Sequence, residues 1–438
     1  MNQSPERQPV QGLPMRYLLV FWLLVMSTIA FLDRTNISIA GVQIAKEFKI
    51  DNSRLGWVFS AFLVGYAGFQ IPGGVILRRF GPRRVLSFCV ILWGVFTVLT
   101  AMVPPAAPGA LMMIILVRMA LGASSAVMYP SSNQFIERWF PRHERGRASG
   151  IVFGGVGLGS ALAPPVLTAI ILAYDWHVAF WFCAVVGLLA AAVWFLVARD
   201  KPEQHPWVSA SERAMIIAGR GDAAMISADV VAAKKKSGSP WVKIFTSKEV
   251  LALSGSYFTF GYIGWVFFSW FYIYLAQVRG LSLKTSAVYS IFPFVAMTLG
   301  SLIGGVASDW LAHHVSPRVG RCYLPAFSLF LTGILLAIGS TVQSAVTATA
   351  LLACAAGALY LSQSSFWSVT ADFAGEHSSV VSGTMNMACQ IGGAVTSSLT
   401  PMIAAQFGWQ ASFLTATVLA VLGAAAWLLV NPKARLAA

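Results

Sequence analysis

Long apolar stretches alternate with short polar ones along almost the whole chain. About twelve of them approach the roughly 20 mostly apolar residues that a helix needs to cross a bilayer. They fall at about 17–42, 54–77, 85–103, 110–136, 148–173, 177–198, 250–277, 284–311, 323–341, 343–370, 378–405 and 409–430. Strand-type alternation is missing, so the pattern predicts an all-α membrane protein with twelve transmembrane helices rather than a barrel.

The predicted spans, numbered 1 to 12 in chain order, form two sets of six. A polar segment, 199–249, separates the sets, and we expect it to be a cytoplasmic linker with one surface helix. Spans 2 and 8 both end in Gly-Gly before a basic turn, and spans 5 and 11 are both glycine-rich. The pattern predicts a major facilitator fold, with six-helix bundles at 17–198 and 250–430 and cytoplasmic tails at 1–16 and 431–438.

Composition and charge agree with a membrane protein and suggest its orientation. Of the 438 residues, 57% are hydrophobic and 11% charged, and the mean hydropathy is +0.71. Although the net charge is +14, the Lys and Arg residues concentrate in the loops on the side of the N-terminus. That bias predicts cytoplasmic termini, and we expect the cytoplasmic (inner) membrane of a bacterium. The same bias explains the net positive charge without a nucleic-acid partner, so we expect no nucleic-acid binding.

Three charged residues lie inside otherwise apolar spans. Asp33 and Arg34 are in span 1, about 24 Å from its start, and Arg118 is about 12 Å into span 4 from the opposite side, so they reach similar depths. Charges at bilayer depth usually face a bundle interior or a watery cavity. Two arginines against one carboxylate favour an anionic substrate. The alternative is structural: Asp33 and Arg34 lock span 1 to a neighbour, or Arg118 forms an ion pair with Asp33 and binds no ligand.

Several uncharged polar residues surround this set along the spans. Each is a candidate for substrate contact, with a hydrogen bond between helices as the alternative. They are Tyr66, Gln70, Ser124, Ser125, Tyr129, Asn386 and Gln390.

The chain lacks the motifs of nucleotide, cofactor and metal chemistry. We find neither a P-loop nor a dinucleotide fingerprint, and the cysteines have no metal-type spacing. The histidines lie near loops or helix ends, so no nucleophile and base pair up at membrane depth. We therefore expect a protein that is not an enzyme and that binds no cofactor and no metal.

Four stretches carry a family resemblance over nearly the whole chain. They are FLDRTNISIA in span 1, GYAGFQIPGG with RRFGPRR after span 2, VRMALG followed by YPSSNQFIERWFPRHERGRA in span 4, and GTMN in span 11. With them the chain resembles the anion:cation symporter family of the major facilitator superfamily, which includes bacterial sugar-acid transporters. The resemblance implies proton-coupled symport of an organic anion, such as a hexonate, a hexuronate or a small carboxylate.

The resemblance also assigns roles to residues. It implies proton coupling by Asp33, and binding or gating by Arg34 and Arg118. Substrate contacts are implied at Tyr66, Ser364, Trp367 and Asn386. The loop motif that it associates with gating corresponds to Gly74, Arg79, Gly81, Arg83 and Asp309.

Departures from the family pattern leave the coupling open. Ser125 stands where the sugar-acid members carry a glutamate, Phe31 where they carry a tyrosine, and Val156 where they carry a glutamine. Arg78 replaces the acidic residue of the first loop motif. The first hypothesis is a monomer that carries a small organic anion with a proton by alternating access. A proton-independent exchanger or uniporter is the alternative, because only one membrane carboxylate is available.

Overall fold

The computed structural model describes residues 14–141, 144–219, 246–374 and 378–431. Within them, ten helical segments are long and apolar enough to cross a membrane, and two more helices of 29 and 30 residues complete the twelve spans. The spans are Met15–Ile39, Asn52–Phe80, Pro82–Met102, Ala110–Trp139, Arg145–Ala173, Trp176–Val197, Lys248–Ser269, Leu283–His314, Val319–Thr341, Ala345–Thr370, Ser378–Phe407 and Trp409–Leu428.

The twelve-helix prediction is therefore confirmed, with boundaries that differ by a few residues. Span 7, predicted to reach residue 277, is continued beyond Ser269 by two short helices, Phe271–Ile273 and Tyr274–Val278. The predicted surface helix of the linker is present as Ala210–Gly219. Most of the predicted N-terminal tail, the linker part 220–245 and the C-terminal residues 432–438 lie outside the described residues.

Polar residues in the loops set several helix starts. Asp51, Asp175, Ser282 and Ser344 each precede a span, and each side chain accepts a hydrogen bond from the backbone N–H three residues later. Such N-caps satisfy donors that the first helical turn leaves unpaired. The short polar loops seen in the sequence thus fix where the spans begin.

Two spans are broken at related places. Span 4 consists of Ala110–Ser125 and Met128–Trp139, and span 10 of Ala345–Leu361 and Gln363–Ala374. Spans 4 and 10 occupy the same position in their sets of six. The break is therefore a shared feature of the two halves, and in span 4 it directly follows Ser125.

Helix pairing repeats between the two halves. Spans 1 and 5, 2 and 4, and 3 and 6 pack together, and so do their counterparts 7 and 11, 8 and 10, and 9 and 12. The halves meet through spans 2 and 11 and through spans 5 and 8. Because these two contacts also correspond under exchange of the halves, the packing has the internal symmetry expected of a six-plus-six repeat.

Glycines allow the paired helices to approach closely. A Cβ on Gly65 would overlap the carbonyl oxygen of Met119, and a Cβ on Gly122 would overlap that of Phe62. Spans 2 and 4 thus touch backbone to backbone, and in the second half Gly304 of span 8 meets span 10 in the same way. Small residues are the usual means of helix packing in lipid, where helices gain little from apolar contact alone.

The two halves are joined on one side of the molecule. We call the side where span 1 begins at Met15 the terminal face and the opposite side the distal face. In the described part of the chain, every hydrogen bond between the halves lies in the distal half of the spans. They join Ser38 to Ser269, Asn52 to Gln277, Ser60 to Ala394 and Ser398, Gly56 to Ser398, and Thr168 to Tyr272.

At the terminal face, the linker helix holds the start of span 1. The Glu212 carboxylate accepts hydrogen bonds from the backbone N–H groups of Met15 and Arg16, at 3.1 and 3.2 Å. It also pairs with the Arg16 guanidinium at 3.1 Å, and Glu144 pairs with the same group at 3.1 Å. Glu212 thus caps a helix that has no side-chain cap of its own.

We predict that the same substitution, glycine to alanine, has different effects on stability at two positions of span 2. Gly65→Ala is expected to lower the free energy of unfolding by about 1–3 kcal/mol, because the added carbon overlaps the backbone of span 4. Gly68→Ala is the matched control, since no atom lies within 4 Å of its added carbon. Thermal unfolding of the purified proteins in detergent measures both, and equal stability would contradict the close approach.

Candidate functional site

Asp33 faces span 3 inside the first half. Its carboxylate accepts a hydrogen bond from Trp93 Nε1 and one from the Thr97 hydroxyl, whose oxygen lies 3.3 Å from Oδ1 and 3.2 Å from Oδ2. Asp33 is 2% exposed and both donors are buried. The two donors are four residues apart and so lie on one face of span 3. Within the described residues, Asp33 has no ion pair within 4.0 Å.

Arg34 points away from Asp33, into a set of aromatic rings at the junction of the halves. Its guanidinium carbon lies 4.5 Å from the ring centre of Phe31, 5.1 Å from those of Phe62 and Tyr66, and 6.0 Å from that of Trp265. Trp265 belongs to span 7, so Arg34 reaches across to the second half. Cation–π attraction stabilises the buried charge without neutralising it.

Arg118 is the most deeply buried of the three charges. It is 1% exposed, and its Nε has no hydrogen-bond partner. Its guanidinium carbon lies 5.2 Å from the Phe62 ring centre, so Arg34 and Arg118 share contact with one aromatic ring. The ion pair between Arg118 and Asp33 that the sequence left open is not formed among the described residues. Arg118 therefore keeps an unsatisfied buried donor, which an anion would satisfy.

The space beside these groups is small. The cavity has about 10 Å³ of free volume, which is room for about one water molecule. Its lining includes Asp33, Arg34, Phe62, Ser124, Ser125 and Met128. A ligand larger than water therefore requires the helices around Asp33 to move apart.

Two predicted contact residues of span 4 lie close to this cavity but are already engaged. The Ser125 hydroxyl lines the cavity and donates to the Leu121 carbonyl of its own helix at 2.9 Å. The Tyr129 hydroxyl is 2.9 Å from that of Ser27, and its ring stacks on Phe153 at 5.0 Å. Tyr129 thereby connects span 1 with span 5.

The other predicted contact residues make no described contact with the arginines. Trp367 is 39% exposed and packs edge-on against Tyr257, with ring centres 6.3 Å apart. The Ser364 hydroxyl is buried without a hydrogen-bond partner, and Asn386 and Gln70 are half-buried. None of the described side-chain contacts joins these residues to Arg34 or Arg118. Ser364, Trp367 and Asn386 belong to the second half, whereas Gln70 is in span 2 of the first half.

The loop motif after span 2 is tied to the end of span 6. Gly81 has a φ of 78°, a left-handed conformation that favours glycine. The Arg83 guanidinium donates to the Phe195 carbonyl at 2.6 and 3.1 Å, and its backbone N–H donates to Asp200 at 2.9 Å. These contacts join the start of span 3 to the end of span 6 and to Asp200 at the start of the linker. Asp200 was not singled out from the sequence.

The remaining motif residues also make contacts inside their own half. Arg79 is exposed, with its guanidinium carbon 5.4 Å from the Phe80 ring centre, and no atom lies within 4 Å of a Cβ built on Gly74. Asp309 pairs with Arg321 at 2.9 Å, across the turn between spans 8 and 9. The structure therefore shows these groups as separate clusters on the terminal face.

Sequence reasoning missed three residues that define the centre of the site. They are Trp93 and Thr97, which bind Asp33, and Phe62, which lies against both guanidiniums. Polar groups spaced four residues apart in an otherwise apolar helix were the available signal for Trp93 and Thr97. Phe62 carried no such signal, because an aromatic residue in a span is ordinarily taken as packing.

Comparison with known proteins assigns the chain to a family of transporters. The model of the Major Facilitator Superfamily matches residues 23–397. The probable sulfoacetate transporter of Cupriavidus necator is 30% identical over 428 residues, covering 96% of this chain and 95% of that protein. The hexuronate transporter of Bacillus subtilis is 26% identical over 409 residues, covering 92% and 91%.

A solved structure has the same fold. It is that of a bacterial homologue of the human lysosomal transporter Spinster, in an inward-facing and unoccupied conformation. The TM-score is 0.76 at 19% identity, over 96% of this chain and 97% of that one. The family and these relatives are transporters and not enzymes, as the sequence predicted. The resemblance drawn from the motifs is confirmed, and the chain belongs to the Major Facilitator Superfamily, in its anion:cation symporter family.

Proposed function

We propose that the protein is a secondary active transporter that carries a small organic anion together with a proton by alternating access. The relatives that transport hexuronate and sulfoacetate support the anion class. Candidate substrates are sugar acids such as hexonates and hexuronates, and smaller carboxylates or sulfonates. All of these present the oxygens that a guanidinium binds with two parallel hydrogen bonds.

The observation that carries the proposal is the unpaired charge around Phe62. Arg34 and Arg118 both lie against this ring, while the one nearby carboxylate, Asp33, is bonded to Trp93 and Thr97 instead. Two buried cations that no described carboxylate pairs with are costly, and an anionic substrate would compensate them. When the halves separate beside span 1, the anion would meet Arg34 at the junction first and then Arg118, which lies deeper in the first half.

The surroundings of Asp33 suit a group that gains and loses a proton. An indole N–H only donates, so Trp93 can donate to a carboxylate oxygen in either protonation state. A hydroxyl both donates and accepts, so Thr97 can donate to the carboxylate or accept from the protonated acid. Both partners can therefore stay hydrogen-bonded to Asp33 in either protonation state. These two partners therefore support Asp33 as the proton carrier.

Charge provides the coupling between anion and proton. The ionised Asp33 is stabilised by the nearby arginines, and an anion on those arginines removes that stabilisation. Binding of the anion and protonation of Asp33 then favour each other, and by thermodynamic linkage the effect is reciprocal. For a monovalent anion the fully loaded site has the same net charge as the empty site, because the anion and the proton cancel, so the two together add no charge to an apolar region.

Alternating access supplies the transport cycle. We propose that the units 17–198 and 250–430 rock against each other, with 199–249 as the tether between them. The distal hydrogen bonds between the halves, such as that of Ser38 with Ser269, would then break when the distal face opens. The excess of basic residues on the terminal face supports cytoplasmic termini. We further propose that the protein works as a monomer in the cytoplasmic membrane of a bacterium.

Ser125 favours a second candidate function, a proton-independent exchanger or uniporter. Its hydroxyl bonds to its own helix and supplies no charge beside Asp33. With one carboxylate in the cavity, an anion could be exchanged for another anion without net proton movement. The two functions differ in their response to a proton gradient.

Uptake by proteoliposomes distinguishes these functions. A labelled panel of hexuronates, hexonates, sulfoacetate and small mono- and dicarboxylates is tested with and without an inward proton gradient. We expect at least one anion to accumulate only with the gradient. Saturable uptake that ignores the gradient would instead support the exchanger or uniporter.

Asp33→Asn is expected to abolish gradient-driven accumulation and to leave counterflow of the same anion intact. The amide cannot carry a proton, although it can still accept from Trp93 and Thr97. Glu137→Gln is the control, because this exposed side chain at the end of span 4 is far from the cavity. Accumulation that persists in Asp33→Asn would rule out the proton role.

Arg118→Met separates a ligand role from a structural one. If Arg118 binds the anion, isothermal titration should show affinity reduced by about tenfold or more, because charged hydrogen bonds contribute about 1.5–3 kcal/mol. The thermal stability of the empty protein should stay equal or rise, since a buried unpaired charge is removed. Arg54→Gln, an exposed change at the distal face, should alter neither quantity. A loss of stability with unchanged affinity would show that Arg118 is structural.

A further inference from the structure

A large apolar groove lies on the outside of the first half, apart from the central site. It is formed by spans 2, 3 and 4 and has a volume of about 630 Å³. Its walls are almost entirely hydrocarbon and include Phe80, Phe88, Leu92, Ala120 and Ala123. Phe88 is 60% exposed and Phe80 is 49% exposed, so the groove opens to the surroundings of the span bundle.

The groove has the depth of one leaflet. Its lining on span 3 runs from Arg84 to Phe96, and twelve residues of helix rise by about 18 Å. Half of a hydrocarbon core of about 30 Å is about 15 Å. The groove therefore begins at the terminal face and ends near the middle of the bilayer, which is the extent of one lipid tail.

The guanidinium of Arg84 lies at the terminal-face end of the groove. Arg84 lines it, is exposed, and has no hydrogen bond or ion pair among the described residues. Its neighbour Arg83 is bound to Phe195, and the acidic Asp200 is engaged with the backbone of Arg83 and with Arg138. A negative group at the level of the lipid headgroups would complement Arg84.

We propose that this groove binds one anionic phospholipid, with an acyl chain along span 3 and the phosphate group at Arg84. The apolar walls match the tail, and the unpaired guanidinium matches the charged headgroup. The groove shares Cys89 and Ser124 with the cavity beside Asp33, so the tail lies against the wall of the central site. The bound lipid thus completes the apolar wall that separates Asp33 from the bilayer.

Native mass spectrometry of the full-length protein in detergent tests the headgroup. Dioleoyl phosphatidylglycerol and dioleoyl phosphatidylethanolamine are added separately to the delipidated protein. We expect one phosphatidylglycerol per protein, held about fivefold more tightly than phosphatidylethanolamine. Arg84→Gln should remove this preference, whereas Arg318→Gln, an exposed arginine at the corresponding start of span 9, should retain it. Equal binding of both lipids by the unmodified protein would overturn the proposal.

A second pair of variants tests the groove itself. Ala120→Trp fills it and should abolish binding of either lipid, and Leu116→Trp, on the same span but outside the groove, should not. Inorganic phosphate should not displace the lipid, because the tail is the larger contact. The proposal would be contradicted if the Ala120→Trp protein still bound lipid, or if phosphate displaced the lipid. It would also be contradicted if the protein formed a dimer in place of binding the lipid.

Crosslinking of the unmodified protein keeps the test independent of how the variants fold. Phosphatidylglycerol with a photoactivatable group in its tail should label peptides of spans 2, 3 and 4 around Phe88 and Leu92. Labelling spread evenly over the other spans would overturn the assignment of the groove.

Discussion

The buried guanidinium of Arg118 is the constraint around which the first half is arranged. It has no carboxylate within ion-pair distance among the described residues, and its Nε is unsatisfied. The Phe62 ring provides partial compensation, and the same ring serves Arg34. Such an arrangement is less stable than a neutral core, and a protein retains it where the charge has a use. In the function proposed above, that use is to bind the substrate anion.

The packing makes large motions compatible with a rigid interior. Within each half, glycines bring helices into backbone contact, as Gly65 and Gly122 do between spans 2 and 4. Between the halves, the described hydrogen bonds are made by a few hydroxyl and amide groups, such as Ser60 with Ser398. The halves also touch backbone to backbone where Gly56 of span 2 meets Ser397 of span 11, so the alternating access proposed above requires this contact to open as well as the hydrogen bonds.

The predictions from sequence were accurate where a physical rule acts locally. Span boundaries agree with the structure to within a few residues, because helix length in a bilayer is set by apolar run length and by caps such as Asp51. Asp33, Arg34 and Arg118 stood out because a charge in an apolar run is costly wherever the helix points. The family motifs were equally local, and the comparisons confirmed the family that they indicated.

The sequence by itself thus determined the twelve spans, the family and the three buried charges. Only the tertiary structure decided which partner each charge has. Side chains of Asp33 and Arg34 diverge by about 100° around their helix, and this sends one to Trp93 and the other to the junction of the halves. Which residues of other spans lie at those points depends on helix packing across long sequence separations. Depth along a helix can be counted from the chain, but rotation and neighbours cannot.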